Sequence, residues 1–253
     1  MNKQELYELC KAEEAIAHIK GWDFSHIADR YEEENSLPWD YRSAILENLR
    51  PEMQILDIDT GGGEFLLSLR HPYCNTAAME NYPPNVSLCA DTLLPLGIDF
   101  RPGSGNGPLP FENSRFDLVI NRHGDFNAAE IFRVLKPGGL FITQQVGADN
   151  DRELVTLLCG DLPPAFPEQH LAITEANFRR AGFTILRGLE AFVPIRFYDV
   201  GALTWFARII QWEYPDFSVD THFDRLLEAQ RILEETDVIE GRVHRFFLIA
   251  QKP

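Results

Sequence analysis

The sequence predicts an α/β fold in which helices cover both faces of a doubly wound, mostly parallel, seven-stranded sheet. Short apolar runs alternate with amphipathic helical segments over residues 51–150, a pattern typical of parallel sheets that are buried on both faces. One of these runs leads through a glycine turn into a helix, which is the usual first unit of such a fold. A helical N-terminal cap and a helical insertion before the last strand complete the prediction.

The glycine turn follows a buried strand predicted at residues 55–58. Asp57 lies inside this strand, and the segment after it reads Asp59, Thr60, Gly61, Gly62 and Gly63. A helix over residues 64–69 follows and ends before Pro72. Glycine lets the backbone turn sharply and approach a ligand closely, so this turn is a candidate binding site.

A second strand, residues 76–79, ends in Glu80. An acidic residue about 20 positions after a glycine turn commonly binds ribose hydroxyls. The same spacing occurs in nicotinamide-dinucleotide folds. These two elements therefore predict a nucleotide-like cofactor without identifying it.

The following segments continue the alternation. Strands are predicted at 98–100, 116–120 and 140–143. One helix is predicted after a turn at 81–85 and ends near Leu94, and another covers 127–136, where Pro137 and two glycines stop it. Beyond residue 150 we predict helices at 150–159, 173–182, 198–212 and 219–235, an extended run at 184–193 and a final strand at 242–251. Ligands bind outside the carboxyl ends of parallel strands, so the segments after these strands should converge on one crevice.

The N-terminal cap is predicted to comprise residues 1–50, with one helix over 2–20 that ends at Gly21 and another that opens near Pro38 and stops at Pro51. Residues 51–253 form the main domain, and the helical insertion covers about 196–240. An insertion of this length at the edge of a scaffold commonly carries substrate recognition.

Composition narrows the function. The formal net charge is −16, which repels phosphate backbones and makes a nucleic-acid partner unlikely. The four cysteines are scattered, so we predict no metal site. No apolar run is long enough to cross a membrane, and the polar N-terminus does not resemble a signal peptide. We therefore expect a cytoplasmic protein with a small-molecule substrate.

The chain resembles the class I S-adenosylmethionine-dependent methyltransferases. Residues 55–65 resemble their first motif, Glu80 matches their ribose acid, residues 109–119 resemble their fourth-strand motif, and residues 130–140 carry Lys-Pro-Gly-Gly, the most specific piece. The resemblance implies a Rossmann-like methyltransferase domain over residues 51–253 and S-adenosyl-L-methionine as cofactor. It favours a small-molecule methyl acceptor.

The resemblance also implies roles for individual residues. Glu80 would bind the ribose, and Asn81 or Tyr82 would border the adenine. Asn121 would contact the cofactor's amino group through its backbone carbonyl. The complete predicted cofactor set is Asp57, Asp59, Thr60, Gly61, Gly63, Glu80, Asn81 and Asn121. His123, which follows the fourth core strand, is the candidate general base. Tyr31, Trp39, Gln145 and Tyr198 are candidate substrate contacts.

Two departures from the family pattern bear on cofactor binding and activity. Before Leu109, where the family often has an acid that faces the adenine amine, the chain has a Gly-Ser-Gly-Asn-Gly loop, in which Ser104 or Asn106 could substitute only weakly. Asp59 stands where the family's first motif has a glycine, and its carboxylate could attract the cofactor's ammonium and sulfonium or repel its carboxylate. This leaves two alternatives to a small-molecule methyltransferase: a catalytically inactive S-adenosylmethionine-binding protein, and an RNA or protein methyltransferase. The acceptor atom and the oligomeric state stay open.

Overall fold

The computed structural model describes residues 1–18, 23–33 and 36–253. Its strands are β1 (Tyr31–Glu33), β2 (Ile55–Ile58), β3 (Thr76–Glu80), β4 (Asp99–Pro102), β5 (Phe116–Arg122), β6 (Leu135–Val146), β7 (Thr184–Phe197) and β8 (Ile239–Gln251). Within the described residues these eight strands form one mixed sheet in the order β1-β7-β8-β6-β5-β2-β3-β4. The pairs of β2 with β3 and β5, of β3 with β4, and of β5 with β6 are parallel.

The α-helices are α1 (Lys3–Ala15), α2 (Tyr41–Asn48), α3 (Glu64–Ser68), α4 (Pro83–Thr92), α5 (Ala128–Val134), α6 (Arg152–Cys159), α7 (Leu171–Arg180), α8 (Val200–Ile209) and α9 (Val219–Thr236). The α/β class and the doubly wound, mostly parallel core are therefore confirmed. In the described part of the chain no helix combines the length and the apolar character that a membrane span requires.

Several predicted elements differ from the structure. Helix α4 begins at Pro83, inside the segment 81–85 predicted as a turn, because proline fits the first helical position. The sheet has an eighth strand, because Tyr31 and Glu33 pair antiparallel with the end of β7. The sequence did not predict this strand, since acidic residues are uncommon in strands. The first helix leaves helical geometry at Ile16, while Gly21, its predicted end, lies outside the described residues. The segment after α5 is not a turn: β6 already begins at Leu135, and Gly138 donates a backbone hydrogen bond to Lys252.

The chain divides into two compact units. We call residues 37–146, 169–191 and 245–253 the sheet unit, and residues 1–36, 147–168 and 192–244 the helical unit. This division differs from the predicted boundary after residue 50. The reason is that Trp39, Tyr41 and Ile45 are buried in the core of the sheet unit, so α2 belongs to that unit.

The sheet unit has two hydrophobic clusters that share its strand residues alternately. Ile55, Leu118 and Ile142 belong to one cluster, while their neighbours in sequence, Leu56, Val119 and Phe141, belong to the other. Since successive side chains of a strand point to opposite faces, each cluster covers one face of the sheet. The prediction that the sheet is buried on both faces is confirmed.

The helical unit is built around α8, whose residues from Val200 to Ala207 are all buried. Asp199 caps its first turn by accepting a hydrogen bond from the Ala202 backbone N–H at 2.8 Å. Helices α1 and α9 contact α8, and α6 contacts α9. The predicted helical insertion at 196–240 therefore supplies much of the core of this unit.

Candidate functional site

The glycine turn owes its shape to left-handed backbone conformations. After β2 the φ angle is +56° at Asp59, +64° at Gly61 and +86° at Gly63. Glycine takes such angles without strain, and Asp tolerates them better than most other residues. A Cβ added at Gly61 would meet no atom within 4 Å, whereas one at Gly63 would lie 2.9 Å from Leu93 Cδ2. Gly61 therefore borders open space, and Gly63 allows close packing against the residue that follows α4.

Glu80 lies beside this turn because β2 and β3 are parallel neighbours with Ile58 opposite Met79. Its carboxylate is buried and accepts three backbone hydrogen bonds, from Gly61 at 2.8 Å, Asn81 at 2.8 Å and Tyr82 at 2.9 Å. The side chain therefore ties the glycine turn to the segment after β3. A carboxylate offers about four acceptor positions, and the fourth accepts a longer hydrogen bond from the Asn85 side chain at 3.5 Å, which a ligand hydroxyl group could replace.

Two further carboxyl groups share this corner of the sheet unit. Asp57 is buried and accepts a hydrogen bond from the Thr60 hydroxyl at 2.7 Å. Burial, followed by the negative charges of Asp59 and Glu80, raises the pKa of Asp57 to about 7. Burial and the charge of Glu80 likewise raise the pKa of Asp59 to about 7. In the part of the chain that the structure describes, no lysine, arginine or histidine forms an ion pair with these three acids.

The Asp59 side chain packs against the segment after β5. A Cβ added at Gly124 would lie 2.6 Å from both Cβ and Oδ2 of Asp59, and the backbone of Asp125 donates a hydrogen bond to the Asp59 carboxylate. A Cβ at Gly105 would in turn overlap the carbonyl oxygen of Asp125. The segments after β2, β4 and β5 thus converge, as predicted. The sequence analysis did not identify Gly124 as a residue of the site. Its position two residues beyond the end of β5 is the feature that could have indicated it.

Asn121 is fully buried and ties three strands together. Its side chain donates to the Ile58 carbonyl at 3.0 Å and accepts from Thr143 and Gln145. Its backbone carbonyl, predicted to bind the cofactor, accepts a hydrogen bond from the Tyr41 hydroxyl at 3.0 Å. Asn121 therefore fixes the end of β5, and a cofactor contact would use the remaining lone pair of this carbonyl.

A hydrogen-bonded chain of three side chains runs to the end of β5. Trp39 donates through Nε1 to Gln144 Oε1 at 2.8 Å, and Gln144 Nε2 lies 3.2 Å from His123 Nε2. His123 has a φ angle of +57° and is exposed, whereas Trp39 is buried and stacks on Phe247. Of the two glutamines that end β6, Gln144 reaches the predicted catalytic residue.

The remaining predicted substrate residues all have structural partners. Gln145 is buried and donates to Thr143 and Asn121. Tyr31 belongs to the helical unit, where its ring lies 5.6 Å from that of Phe197. Tyr198 belongs to the same unit and donates to the Glu32 carboxylate at 2.7 Å. The structure thus brings Asp57, Asp59, Thr60, Gly61, Glu80 and Asn81 together around the glycine turn, and places Gln145 in a buried network.

Comparison with known proteins adds an independent line of support. Residues 56–143 match the methyltransferase domain family. The chain is 28% identical over 151 residues to the demethylmenaquinone methyltransferase of Leptospira interrogans, a match that covers 49% of this chain and 59% of that protein. It is 34% identical over 109 residues to the phthiotriol/phenolphthiotriol dimycocerosates methyltransferase of Mycobacterium leprae, which covers 39% of each protein. The chain thus spans less than two thirds of the length of these relatives.

A solved structure supports the fold. The crystal structure described as a putative methyltransferase from Bacillus halodurans superposes with a TM-score of 0.58 at 16% identity, covering 85% of this chain and 99% of that chain. The matched domain contains the glycine turn, Glu80 and Asn121, and the sheet order around it is that of a doubly wound fold. The matched segment and the fold therefore support the resemblance to the class I S-adenosylmethionine-dependent methyltransferases.

Proposed function

We propose that the chain binds S-adenosyl-L-methionine at the glycine turn and transfers its methyl group to a small-molecule acceptor. The observation that carries the proposal is a corner of the sheet unit where Gly61 borders open space beside three carboxyl groups that lack a cationic protein partner in the described residues. A ligand with a positively charged ammonium and sulfonium would supply the missing charge.

The residues around the turn suit the parts of this cofactor. When bound, S-adenosylmethionine supplies a methyl group activated by a positively charged sulfur. A ribose hydroxyl could replace the long hydrogen bond from Asn85 to Glu80, and Asn81 follows Glu80 at the predicted adenine border. Asp59 carries its charge beside Gly61 and Thr60, which suits the positively charged end. The contribution of the protein to transfer is then orientation and exclusion of water.

A small-molecule acceptor is supported by two observations. The relatives are named for the methylation of demethylmenaquinone and phthiotriol-type compounds, both small molecules. The net charge of −16 opposes binding to nucleic acid. A catalytically inactive binder is the second candidate, because Asp59 departs from the family glycine.

Calorimetric titration of the full chain with S-adenosylmethionine, S-adenosylhomocysteine and NAD tests the proposal. We expect the two sulfur compounds to bind and NAD to give no heat. Glu80→Ala should weaken S-adenosylmethionine about 10- to 150-fold, the range expected when a buried charged hydrogen bond is lost. Glu52→Ala, which changes an exposed glutamate of the same unit, is the matched control.

Because Glu80 also holds the turn, the melting temperature of each variant has to be recorded. Glu80→Gln, which keeps the size of the side chain, separates loss of the ligand contact from loss of the fold. Binding of NAD alone would contradict the proposal. Tight binding without methyl transfer to any acceptor in a metabolite panel would favour the inactive binder.

A further inference from the structure

We propose that the site holds its methyl acceptor by a carboxylate, which the Nδ1–H of a neutral His123 and the guanidinium of Arg122 bind together. The inference rests on the proposed function only for the identification of this anion as the methyl acceptor. The geometry behind it involves no cofactor atom.

The tautomer of His123 follows from hydrogen-bonding chemistry. Trp39 Nε1–H can only donate, so the Gln144 atom 2.8 Å away from it is the amide oxygen. The amide nitrogen of Gln144 therefore faces His123 Nε2 at 3.2 Å, and it can only donate. His123 Nε2 must accept this bond, which places the ring proton on Nδ1.

The Nδ1–H group is available to a ligand. His123 is exposed, and in the described residues no protein atom is hydrogen-bonded to its Nδ1. Desolvation by the surrounding protein, followed by the charges of Arg245 and Arg122, lowers the pKa of His123 well below its ordinary value. A neutral ring with its acceptor nitrogen already occupied donates a hydrogen bond, a role that differs from the general base predicted for His123.

Positive charge surrounds this donor although the chain carries a net charge of −16. Arg122 precedes His123, is exposed, and lies over the Phe65 ring at 5.9 Å. No carboxylate of the described residues lies within ion-pair distance of it. Arg245 lies opposite Val146, and Phe247 lies opposite Gln144. Side chains two residues apart share a face of a strand, so Arg245 lies on the face that carries Gln144.

Two donors and a positive field select the kind of group that binds. A guanidinium and an imidazole N–H both favour an anionic oxygen, and arginine matches the two oxygens of a carboxylate. The same donors would weaken an oxygen nucleophile by stabilising its lone pairs. We therefore assign the bound oxygens to a carboxylate that anchors the acceptor, with methylation at another atom of the molecule.

The first test reads the tautomer directly by NMR of the full chain with 15N-labelled histidine. The His123 signals, identified by their loss in His123→Asn, should show a proton on Nδ1. In Gln144→Glu the carboxylate can only accept, so the proton should move to Nε2. A proton on Nε2 in the unchanged protein would overturn the proposal. The same tautomer in Gln144→Glu as in the unchanged protein would overturn it as well.

The second test measures binding of three probes of similar size in the presence of S-adenosylhomocysteine: benzoate, 4-nitrophenolate and benzyl alcohol. Benzoate should bind most tightly, and Arg122→Gln or Gln144→Glu should weaken it about 10- to 150-fold. Arg50→Gln, which removes another exposed arginine of the sheet unit, should leave it unchanged. Equal binding of benzyl alcohol, or a preference for 4-nitrophenolate, would overturn the carboxylate assignment.

These outcomes are separable from failure of the proposed function. The tautomer is measured without cofactor, and S-adenosylmethionine titration of Arg122→Gln reports cofactor binding independently. Loss of benzoate affinity with unchanged cofactor affinity supports the inference. Absence of cofactor binding with an intact benzoate site contradicts the proposed function alone.

Discussion

Two buried carboxylates, one in each unit, have opposite electrostatic surroundings. Glu13 in the helical unit accepts hydrogen bonds from His26 and Arg30, each at 2.7 Å. Burial by itself would raise the pKa of Glu13, but Arg30 and His26 reverse this and lower it. Asp57 in the sheet unit is equally buried, yet its pKa rises to about 7.

The difference shows which of the two buried acids has its counter-charge within the protein. The helical unit supplies the counter-charges for its own buried acid. Around the glycine turn the nearest charges to Asp57 are two further carboxylates, Asp59 and Glu80. A buried acid without a cation must hold a proton or bind a cationic ligand, so its surroundings point to a binding site.

Removing a partner from the complete network should give the largest effect. Glu13→Ala leaves Arg30 and His26 without their shared acceptor, and we expect a loss of about 1.5–3 kcal/mol in the free energy of unfolding. In a chain of this size that lowers the melting temperature by about 3–12 °C. Asp57→Asn, the matched change in the other unit, should leave the melting temperature equal or higher at pH 8. Calorimetric melting of both variants decides the comparison, and equal losses would contradict it.

The pH dependence of stability should follow the acids of the glycine turn. Asp57 and Asp59 have folded pKa values of about 7, above their value of about 3.9 in unfolded chains. Their contribution to stability is therefore complete below about pH 4 and is lost as the pH rises through about 7.

We expect the melting temperature of the ligand-free protein to fall by several degrees between about pH 5 and pH 8, since one pKa unit corresponds to about 1.4 kcal/mol. Asp57→Asn should flatten this slope. Glu13, whose pKa is lowered, loses its contribution only in more acidic solution, so Glu13→Ala should leave the slope unchanged. A melting temperature that rises over this interval would refute the assignment.

Asp59→Gly should separate backbone strain from ligand charge. The φ angle of +56° at Asp59 suits glycine better, so the variant should gain about 1 kcal/mol of stability. It should also bind S-adenosylmethionine about 2- to 10-fold more weakly, because an opposite charge is lost. Asp59→Asn keeps the side-chain shape and the positive φ angle and should lose a similar amount of affinity, so the stability of the glycine variant in excess of the asparagine variant measures the backbone strain. Tighter binding of the glycine variant would show that Asp59 repels the cofactor.

The smallest effect should come from the surface of the helical unit. Tyr198 donates to Glu32 in an exposed hydrogen bond. Tyr198→Phe should therefore leave the melting temperature and the affinity for S-adenosylmethionine unchanged within error. If the rate of methyl transfer to an identified acceptor falls while the melting temperature and the cofactor affinity stay unchanged, the predicted substrate role of Tyr198 is supported.

The sequence predicted those parts of the site whose residues lie close together along the chain. Residues 55–65 contain both the strand and its turn, and Glu80 follows at a spacing that parallel pairing requires. The contact of Trp39 with Gln144 joins residues 105 positions apart. Likewise, the fit of Asp59 against Gly124 depends on β2 and β5 being neighbours, which the order of strands along the chain does not specify. Alternation along β6 predicted that its two glutamines would differ, but not that Gln144 would reach His123.

The fit between Asp59 and Gly124 restricts the order in which this corner can evolve. A Cβ at position 124 would lie 2.6 Å from Cβ and Oδ2 of Asp59, so position 124 is closed to every other amino acid while Asp59 is present. Replacing Asp59 by glycine removes the two nearest atoms and leaves Asn121 Nδ2 at 3.0 Å. The two positions are therefore epistatic, because a larger residue at position 124 requires a prior change at position 59.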